Sequence, residues 1–385
     1  MGNKSFITAK DQNILYAFVI VGLIGGIGGF LYSDRFWTSF LQNSFYFVTI
    51  ALGGAVFVAI NYISNSGWAN VLRRVPEAMM SYIPFGAVSI MLLFFGRNAI
   101  YEWTEKTYSH NGHELVFKNT YLSSEFFFTR MFVYLFIWIV LIYLLKRESY
   151  QQDVDGDLNH TRKSRIYSGI FLVTFGITFT FAVFDWIMSI EPMFFSTIYG
   201  FYHIAGVLLS GTAAITILTI LLRRKGYLKE VGDKQMHGLG KLVFGFATFW
   251  AYIWVSQYLL IYYANIPEET IHYVRRTTPE WSNLFYASLF LNWIIPFVML
   301  IRRKAKSNES WMLMACAIVL VGHWVDLYVL IFPTFFESPM IGLVDIALPI
   351  GFIGLFLLVF SRNLPTDRMV PRKDPYLAES MWQEH

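Results

Sequence analysis

The sequence predicts an all-α integral membrane protein with ten transmembrane helices, and three observations support this. Of the 385 residues, 56% are hydrophobic and 15% are charged, whereas roughly a quarter are charged in a soluble domain. Aromatic residues reach 19%, which suits lipid-facing helices with aromatic belts at both interfaces. The Lys and Arg residues occupy short segments between long apolar stretches, so the net charge of +4 does not indicate a nucleic-acid binder.

Ten apolar segments are long enough to cross a bilayer, since a hydrocarbon core of about 30 Å requires about 20 helical residues. They cover residues 14–32, 44–63, 79–96, 126–145, 166–189, 199–222, 240–264, 283–301, 311–332 and 341–361. Helices are expected because an open chain cannot otherwise satisfy its backbone polar groups in hydrocarbon. Pro84, Pro296 and Pro349 lie inside these segments, so we expect bends there.

The ten segments predict one polytopic membrane domain over residues 1–385. Its last part, residues 364–385, is predicted to be a polar cytoplasmic tail. This tail is polar enough to dock on a partner or to stay mobile. The first segment lacks a convincing small-residue cleavage site, so we expect a retained helix rather than a signal peptide.

The distribution of Lys and Arg predicts the orientation of the chain. With ten alternating helices, 23 of these residues lie on the side of the two termini and six on the other side. Because cytoplasmic loops carry the excess of positive charge, both termini are predicted to be cytoplasmic.

Polar residues of the later helices predict a functional layer in the outer half of the membrane. From a helical rise of about 1.5 Å per residue, Asp185, His203 and Asp345 lie roughly 6 Å below the outer face. The same estimate places Gln257 and Asp326 at roughly 10 Å and His323 at about 14 Å. Buried ionisable groups are costly in a membrane and usually functional, so the layer predicts a site that opens toward the outer face.

His323 and Asp326 are three residues apart and therefore share one face of the ninth helix. A carboxylate beside an imidazole can pass or accept protons, which suits quinol oxidation and equally suits a proton wire without quinone. A buried pair that only bridges helices is the structural alternative. For Asp185 and Asp345, the alternative is that they mark helix ends at the headgroups.

Glu191 lies in the turn after the fifth helix, which Pro192 terminates, and this loop contains no Lys or Arg. Tyr199, Tyr202 and His203 then begin the sixth helix. A carboxylate-bearing outer turn followed by Tyr and His is a plausible exit for protons. Tyr residues near a membrane interface also commonly form the aromatic belt, which is the alternative for the Tyr-rich seventh helix.

The sequence argues against cofactors bound covalently within this chain. Cys316 is the single cysteine, so a disulfide, a thiolate-held iron–sulfur cluster and an attached haem c are excluded within the chain. His203 and His323 differ in depth by roughly 8 Å, a poor geometry for two ligands of one haem iron. We predict no metal site, and the paired glycines of the first helix are expected to allow close helix packing.

Two segments resemble a known family: DWIMSIEP at residues 185–192 and QYLLIYYANIPEE at residues 257–269. They are similar to the NrfD/PsrC-like membrane subunits of bacterial alternative complex III, a quinol:electron-acceptor oxidoreductase. The resemblance extends over nearly the whole chain and is greatest to the shorter of two such subunits, the quinone-binding ActF type.

The resemblance implies two four-helix bundles plus two flanking helices in the bacterial cytoplasmic (inner) membrane. It implies several partners: a larger NrfD-like sister subunit, a periplasmic iron–sulfur protein, multihaem and monohaem c-type cytochromes and, in some complexes, a terminal oxidase. Haem c and iron–sulfur clusters then belong to those partners, while quinone or quinol is the ligand expected here. In the family, quinol oxidation is best supported for the larger subunit, and proton conduction is proposed for both.

Three classes of function stay open on the sequence. The chain is a respiratory-complex subunit whose polar layer forms a quinone pocket or a proton path, a scaffold subunit of that complex, or a secondary transporter. The resemblance offers Asp185, His203, His323 and Asp326 as candidates for the pocket or path without deciding between them. Transporters usually bind substrate at the midplane on broken helices of matching repeats, whereas the polar layer here is off-centre.

Overall fold

The computed structural model describes residues 8–110, 113–114, 116–365 and 369–382. Within these residues, ten helices are long and apolar enough to cross a membrane, which confirms the predicted number. They are α1 (Ala9–Tyr32), α2 (Phe36–Ile63), α3 (Arg74–Ile100), α4 (Ser124–Asp155), α5 (Leu158–Ile190), α6 (Ile198–Arg224), α7 (Asp233–Ala264), α8 (Ser282–Leu300), α9 (Glu309–Thr334) and α10 (Leu343–Asn363).

Two of these helices extend well beyond their apolar segments. α4 continues past residue 145 to Asp155, and α5 begins at Leu158 rather than near residue 166. Between them, Gly156 adopts a left-handed conformation with φ of 77°, and the Asp157 side chain accepts a hydrogen bond from the Asn159 backbone N–H at 2.9 Å. A glycine C-cap followed by an aspartate N-cap makes a tight turn, so the polar helix ends form a hairpin.

Proline positions explain two interrupted helices. α3 consists of Arg74–Met80, Ile83–Leu92 with Pro84 in its first turn, the 3-10 segment Leu93–Gly96 and Arg97–Ile100. α8 consists of Ser282–Leu289, the π-helical segment Phe290–Ile294 and Ile295–Leu300, which contains Pro296. A proline lacks the amide N–H that continues a helix, so both breaks have a local cause. α10, in contrast, is continuous through Pro349.

Helix α2 lies at the centre of the molecule, and 83% of its most apolar stretch is buried. α2 and α4 each pack against α3 and α5, while α6 and α8 each pack against α7 and α9. α2 also crosses α6 closely, because a Cβ added to Gly53 would lie 2.5 Å from the Gly211 Cα. Small residues let two helix backbones approach in a membrane, and this crossing joins the two halves of the chain.

Helix α1 packs mainly against α10. A Cβ added to Gly22 would lie 2.3 Å from the Gly351 Cα, and one added to Gly25 would meet the Ala347 side chain. The expected packing role of glycine in α1 therefore holds for these positions. Gly28, in contrast, faces open space, and a Cβ added there would have nothing within 4 Å.

The connections lie on two faces of the helical layer. We call the basic face the one that carries the α2–α3, α4–α5, α6–α7 and α8–α9 connections, among whose residues are Arg73 and Arg303. The start of α1 lies on this face, since Asp11 pairs with Lys225 of the α6–α7 connection at 3.1 Å. The other five connections form the opposite face.

Short elements cover both faces. The basic face carries the 3-10 segments Gly67–Leu72 and Arg303–Ser307 and the terminal helix Leu377–Trp382. The opposite face carries the 3-10 segment Glu102–Thr104, the antiparallel strands Ser109–His110 and His113–Glu114, and the helices Val116–Tyr121 and Pro267–Arg276. The helix Pro267–Arg276, which we call the interfacial helix, contributes to the site described below.

The described part of the polar tail packs on this chain itself. Asp374 accepts hydrogen bonds from Asn70 at 2.8 Å and from Arg73 at 2.5 Å, and all three side chains are buried. Near the end of the tail, the Ser380 backbone carbonyl accepts a hydrogen bond from Gln235 at the start of α7. The tail therefore fastens the α2–α3 connection to α7 across the basic face.

Candidate functional site

A buried carboxylate cluster lies on the opposite face around Glu191, which follows the 3-10 turn that ends α5. His272 Nδ1 lies 2.5 Å from Glu191 Oε2, and Thr334 Oγ1 donates to Oε1 at 2.9 Å. Arg275 and Arg276 donate to the same carboxylate at 3.3 and 3.1 Å. The α5–α6 loop contains no Lys or Arg, so the positive charge beside Glu191 comes from the α7–α8 connection.

The interfacial helix positions His272, Arg275 and Arg276 around Glu191. Pro267 occupies its first turn, where the missing N–H is harmless, and His272 and Arg276 are four residues apart, so they share one face. Both side chains are buried, whereas Arg275 is 42% exposed. An amphipathic helix lying at the interface therefore directs an imidazole and a guanidinium toward Glu191.

The cluster holds Glu191 as a carboxylate. Burial raises the pKa of Glu191, but Arg276 and His272 together lower it by more than burial raises it. The pKa of Glu191 therefore lies well below its usual range. Burial and the neighbouring Arg276 lower the pKa of His272 to about 4, although Glu191 opposes this change. Because His272 is then neutral at neutral pH, the two arginines supply the positive charge, and the imidazole donates Nδ1–H to the carboxylate.

A small polar cavity lies beneath this cluster, between α6, α7, α8 and α9. Its volume is about 10 Å³, which is roughly the room that one water molecule requires. Its polar lining consists of Tyr202, Gln257, Tyr273, Arg276, Ser288 and Asp326. The structure thus brings together Gln257 and Asp326, which the sequence places at the same depth.

Asp326 and Arg276 define the two ends of this polar region. Asp326 is buried and accepts a hydrogen bond from the Tyr202 hydroxyl at 2.5 Å. Arg276 lines the same cavity, donates from Nη1 to Glu191 and donates from Nη2 to the Leu330 carbonyl. Arg276 therefore joins the cavity that Asp326 lines to the Glu191 cluster at the opposite face.

His203 and His323 lie beside each other across the α6–α9 interface. His323 packs over α6, since a Cβ added to Gly206 would lie 3.2 Å from His323 Cε1. His323 Nε2 is 3.1 Å from Thr49 Oγ1, while His203 Nδ1 is 3.0 Å from the Tyr199 carbonyl oxygen. His203 Nε2 is buried and has no hydrogen-bond partner among the described residues. The two imidazoles are therefore bound to separate helices, with His323 contacting Thr49 of α2 and His203 contacting the preceding turn of α6.

Asp185 and Asp345 lie apart from the cavity, each in its own ion pair. Arg130 of α4 binds both Asp185 oxygens, at 2.9 and 3.0 Å. Asp345 accepts from Arg35 at 2.9 Å and from the Gly342 backbone N–H at 2.8 Å, as an N-terminal cap of α10. Both carboxylates are therefore buried and paired with an arginine of another helix or connection within this chain.

A second buried network, which the sequence did not predict, lies on the basic face. Arg74 donates to Glu77 at 2.5 Å and also binds Asp153, while Ser149 donates to Glu77 at 2.5 Å. Glu77 is fully buried. The spacing of Arg74 and Glu77, three residues apart at the start of an apolar helix, is the signal that could have revealed it.

The residues that sequence reasoning missed near Asp326 are cations of the interfacial helix. The sequence places Arg275 and Arg276 only in a loop of the outer face and gives His272 no role. The informative signal is the pairing of a cation-free acidic loop at Glu191 with a second outer loop that contains two arginines. A helix-period pattern over residues 267–276 would then place His272 and Arg276 on one face.

The cavity at Asp326 does not fit a quinone ring, because it has room for about one water molecule. A groove of about 590 Å³ lies between α2, α6, α9 and α10 and includes Tyr46 and Trp324 in its lining. The Tyr46 ring lines this groove and also packs against His323, with 5.4 Å between the centres of the Tyr46 and His323 rings. This apolar groove has the volume for a lipid-soluble ligand.

No protein-family model matches the chain, and no curated protein sequence is significantly similar to it. Within the part of the chain that the structure describes, no group of three or more His, Cys, Asp or Glu side chains is arranged to hold a metal ion.

Proposed function

We propose that this chain is a membrane subunit of a quinol-oxidising respiratory complex of the alternative complex III type, and that α6–α9 contain a proton path in it. The observation that carries the proposal is that Asp326 and Arg276 line the same small cavity, while Arg276 also donates to Glu191. Buried ionisable groups inside a membrane protein usually mark such paths, because each is costly to retain.

Helix packing supports the assignment to this class of subunit. The contacts of α2 with α3 and α5, closed by α4, correspond to one expected four-helix bundle. The contacts of α6 with α7 and α9, closed by α8, correspond to the second, and α1 with α10 forms the flanking pair. In this proposal the basic face is cytoplasmic, since cytoplasmic loops carry most Lys and Arg, and the opposite face is periplasmic.

Proton transfer along the path requires groups that gain and lose protons. Asp326 faces the small cavity, so a water there can exchange a proton with its carboxyl group. Glu191 and His272 provide the next titratable groups toward the opposite face. Arg276 keeps its own proton, and its role is to stabilise Glu191 as a carboxylate.

Quinone binding, the second part of the proposal, is supported by the groove beside Tyr46. A quinone ring in this groove could contact the Tyr46 side chain, whose ring packs against His323. Tyr46 donates its hydroxyl hydrogen to the Leu320 carbonyl at 2.9 Å, so a ligand would have to displace that contact to use the hydroxyl. The groove also suits a lipid acyl chain, and the proton path is therefore the better supported part.

A scaffold role in the same complex is the second candidate, and the ion pairs of Asp185 and Asp345 favour it. Both carboxylates are satisfied within this chain and join separate helices. Under this alternative, the Asp326 region would also serve only to hold α6 and α9 together. A secondary transporter is the third candidate, and it predicts solute movement by the chain alone.

Affinity purification of the tagged full-length chain in mild detergent tests the assignment. We expect c-type haem absorbance bands and a co-purifying iron–sulfur protein in stoichiometric amounts. A colourless chain that purifies alone would contradict the proposal and would direct attention to transport assays. Loss of partners after replacement of Asp326, with normal quinol oxidation in the complex that remains, would instead favour the scaffold role.

A further inference from the structure

We propose that a cluster of cations on the basic face binds the headgroup of an anionic phospholipid. The cluster, which we call the α8–α9 basic cluster, consists of Lys241, Arg302, Arg303, Lys304 and Lys306. Lys241 follows Gly240 on α7, and a Cβ added to Gly240 would lie 2.7 Å from the Lys306 Cβ atom. The cluster therefore joins the start of α7 to the connection between α8 and α9.

Two neighbouring cations of this face, Arg223 and Arg224, have a carboxylate partner. Glu309, the first acid after the cluster in sequence, is bound by Arg223 at 3.3 Å and by Arg224 at 3.2 Å. Among the described residues, the five cations of the cluster have no carboxylate within 4.0 Å. Their mutual repulsion is thus not balanced by this chain, and an external anion would balance it.

Lys306 gives an independent reason for an anion at this position. It is only 8% exposed, and its Nζ lies 3.3 Å from the Ile301 carbonyl oxygen and 4.5 Å from the centre of the Phe244 ring. Burying an ammonium group without a paired charge is costly. A phosphate above the cluster would lower that cost.

The position of the cluster favours a lipid over a soluble anion. It begins directly after α8, where Val298 and Ile301 are 66% and 56% exposed on the lipid-facing side. Phe244 and Phe297 stack below it with 4.8 Å between ring centres. A phosphate at the cluster would therefore have its acyl chains beside an apolar helix face, which is the arrangement of basic lipid sites between membrane helices.

Lipid selectivity of the purified full-length chain tests this inference. The protein is exchanged into mixed micelles that contain phosphatidylglycerol and phosphatidylcholine, and retained lipid is quantified by mass spectrometry. The test variant is R302Q/R303Q/K304Q, whose three positions are exposed. The control is R147Q/R162Q/K229Q, which removes the same charge from exposed positions of the same face.

We expect the wild type and the control to retain phosphatidylglycerol preferentially. The test variant should bind it at least about tenfold more weakly, because three of the five cations that would face the anionic headgroup are removed. Equal losses in both variants would show a general effect of charge and overturn the inference. Absence of selectivity in the wild type, or displacement of the lipid by excess inorganic phosphate, would overturn it as well.

Discussion

Arg276 and Glu191 are 85 positions apart in the chain, yet the Arg276 Nη1 group donates to Glu191 Oε1 at 3.1 Å inside a buried cluster. The contact joins the interfacial helix to the end of α5. Arg275 donates to the same carboxylate at 3.3 Å, but its side chain is 42% exposed. Arg276 is buried and Arg275 is exposed, yet both bind Glu191. Comparing them therefore shows how burial changes the contribution of an ion pair to stability.

Arg276→Gln should destabilise the protein by about 3–5 kcal/mol, because removing one partner of a buried ion pair leaves an uncompensated charge. Arg275→Gln is the matched control and should cost about 1 kcal/mol or less, as exposed pairs do. Thermal unfolding of the detergent-solubilised protein, followed by size-exclusion chromatography, measures the difference. Equal losses for the two variants would contradict the proposed role of burial.

Acidification should destabilise the wild type more steeply than His272→Gln. The folded pKa of His272 is about 4, below its ordinary value of 6.5, so the unfolded state binds more protons between these values. Stability must then fall as the pH decreases through this window, by at most about 1.4 kcal/mol per pH unit. Glu191 contributes separately and at lower pH, because its folded pKa lies well below its ordinary value of 4.5.

Thermal midpoints of both proteins at several values between about pH 7 and pH 5 test this. Only the slopes of thermal midpoint against pH are compared, since the substitution also changes stability at neutral pH. Parallel curves for wild type and His272→Gln would contradict the prediction that His272 is buried in its neutral form.

The ten helices could be predicted because the bilayer requires about 20 apolar residues in each. Their ends could not, since the polar residues that extend α4 to Asp155 and begin α5 at Leu158 carry no apolar signal. Those ends are determined by the Gly156 and Asp157 caps, and Lys373 of the tail donates to the Val154 carbonyl at the end of α4. Hydropathy therefore predicts which segments are helical, but it does not predict the residue at which each helix ends.

The site was predictable in depth but not in its pairings. The sequence placed Gln257 and Asp326 in one layer, and the structure places both at one cavity. It gave no means to find Arg130 as the partner of Asp185, because that contact depends on how α4 and α5 rotate against each other. The same limit applies to Arg276, whose contact with Glu191 depends on how the interfacial helix packs against the end of α5.

Two glycines of α1 should respond differently to the same substitution. A Cβ at Gly25 would lie 2.2 Å from the Ala347 Cβ on α10, whereas a Cβ at Gly28 would have nothing within 4 Å. Gly25→Ala should therefore cost about 1–3 kcal/mol through overpacking and loosen α1 from α10, and Gly28→Ala should be neutral. Disulfide trapping between cysteines introduced on the two helices measures the separation. Equal behaviour of the two variants would contradict the close contact of α1 and α10.

Asp326→Asn should reduce proton release during quinol oxidation by about tenfold or more, as expected when a proton-transfer group is removed. Asparagine keeps an oxygen that can accept the Tyr202 hydrogen bond, so the packing of α6 against α9 should survive. Proton release per quinol oxidised, measured with a pH-sensitive dye in proteoliposomes that contain the whole complex, is the appropriate readout. The control is Asp34→Asn, an exposed carboxylate at the start of α2.

Assembly must be measured on the same samples, because a structural role for Asp326 would also lower the total activity. The proton-path hypothesis requires normal amounts of co-purifying partners in Asp326→Asn together with a lower proton yield per quinol. Loss of partners with a normal yield in the remaining complex would support the scaffold role instead. Since Asp326 contacts Tyr202 and the cavity rather than a charged partner, its neutralisation leaves no unpaired cation, and the two outcomes can be separated.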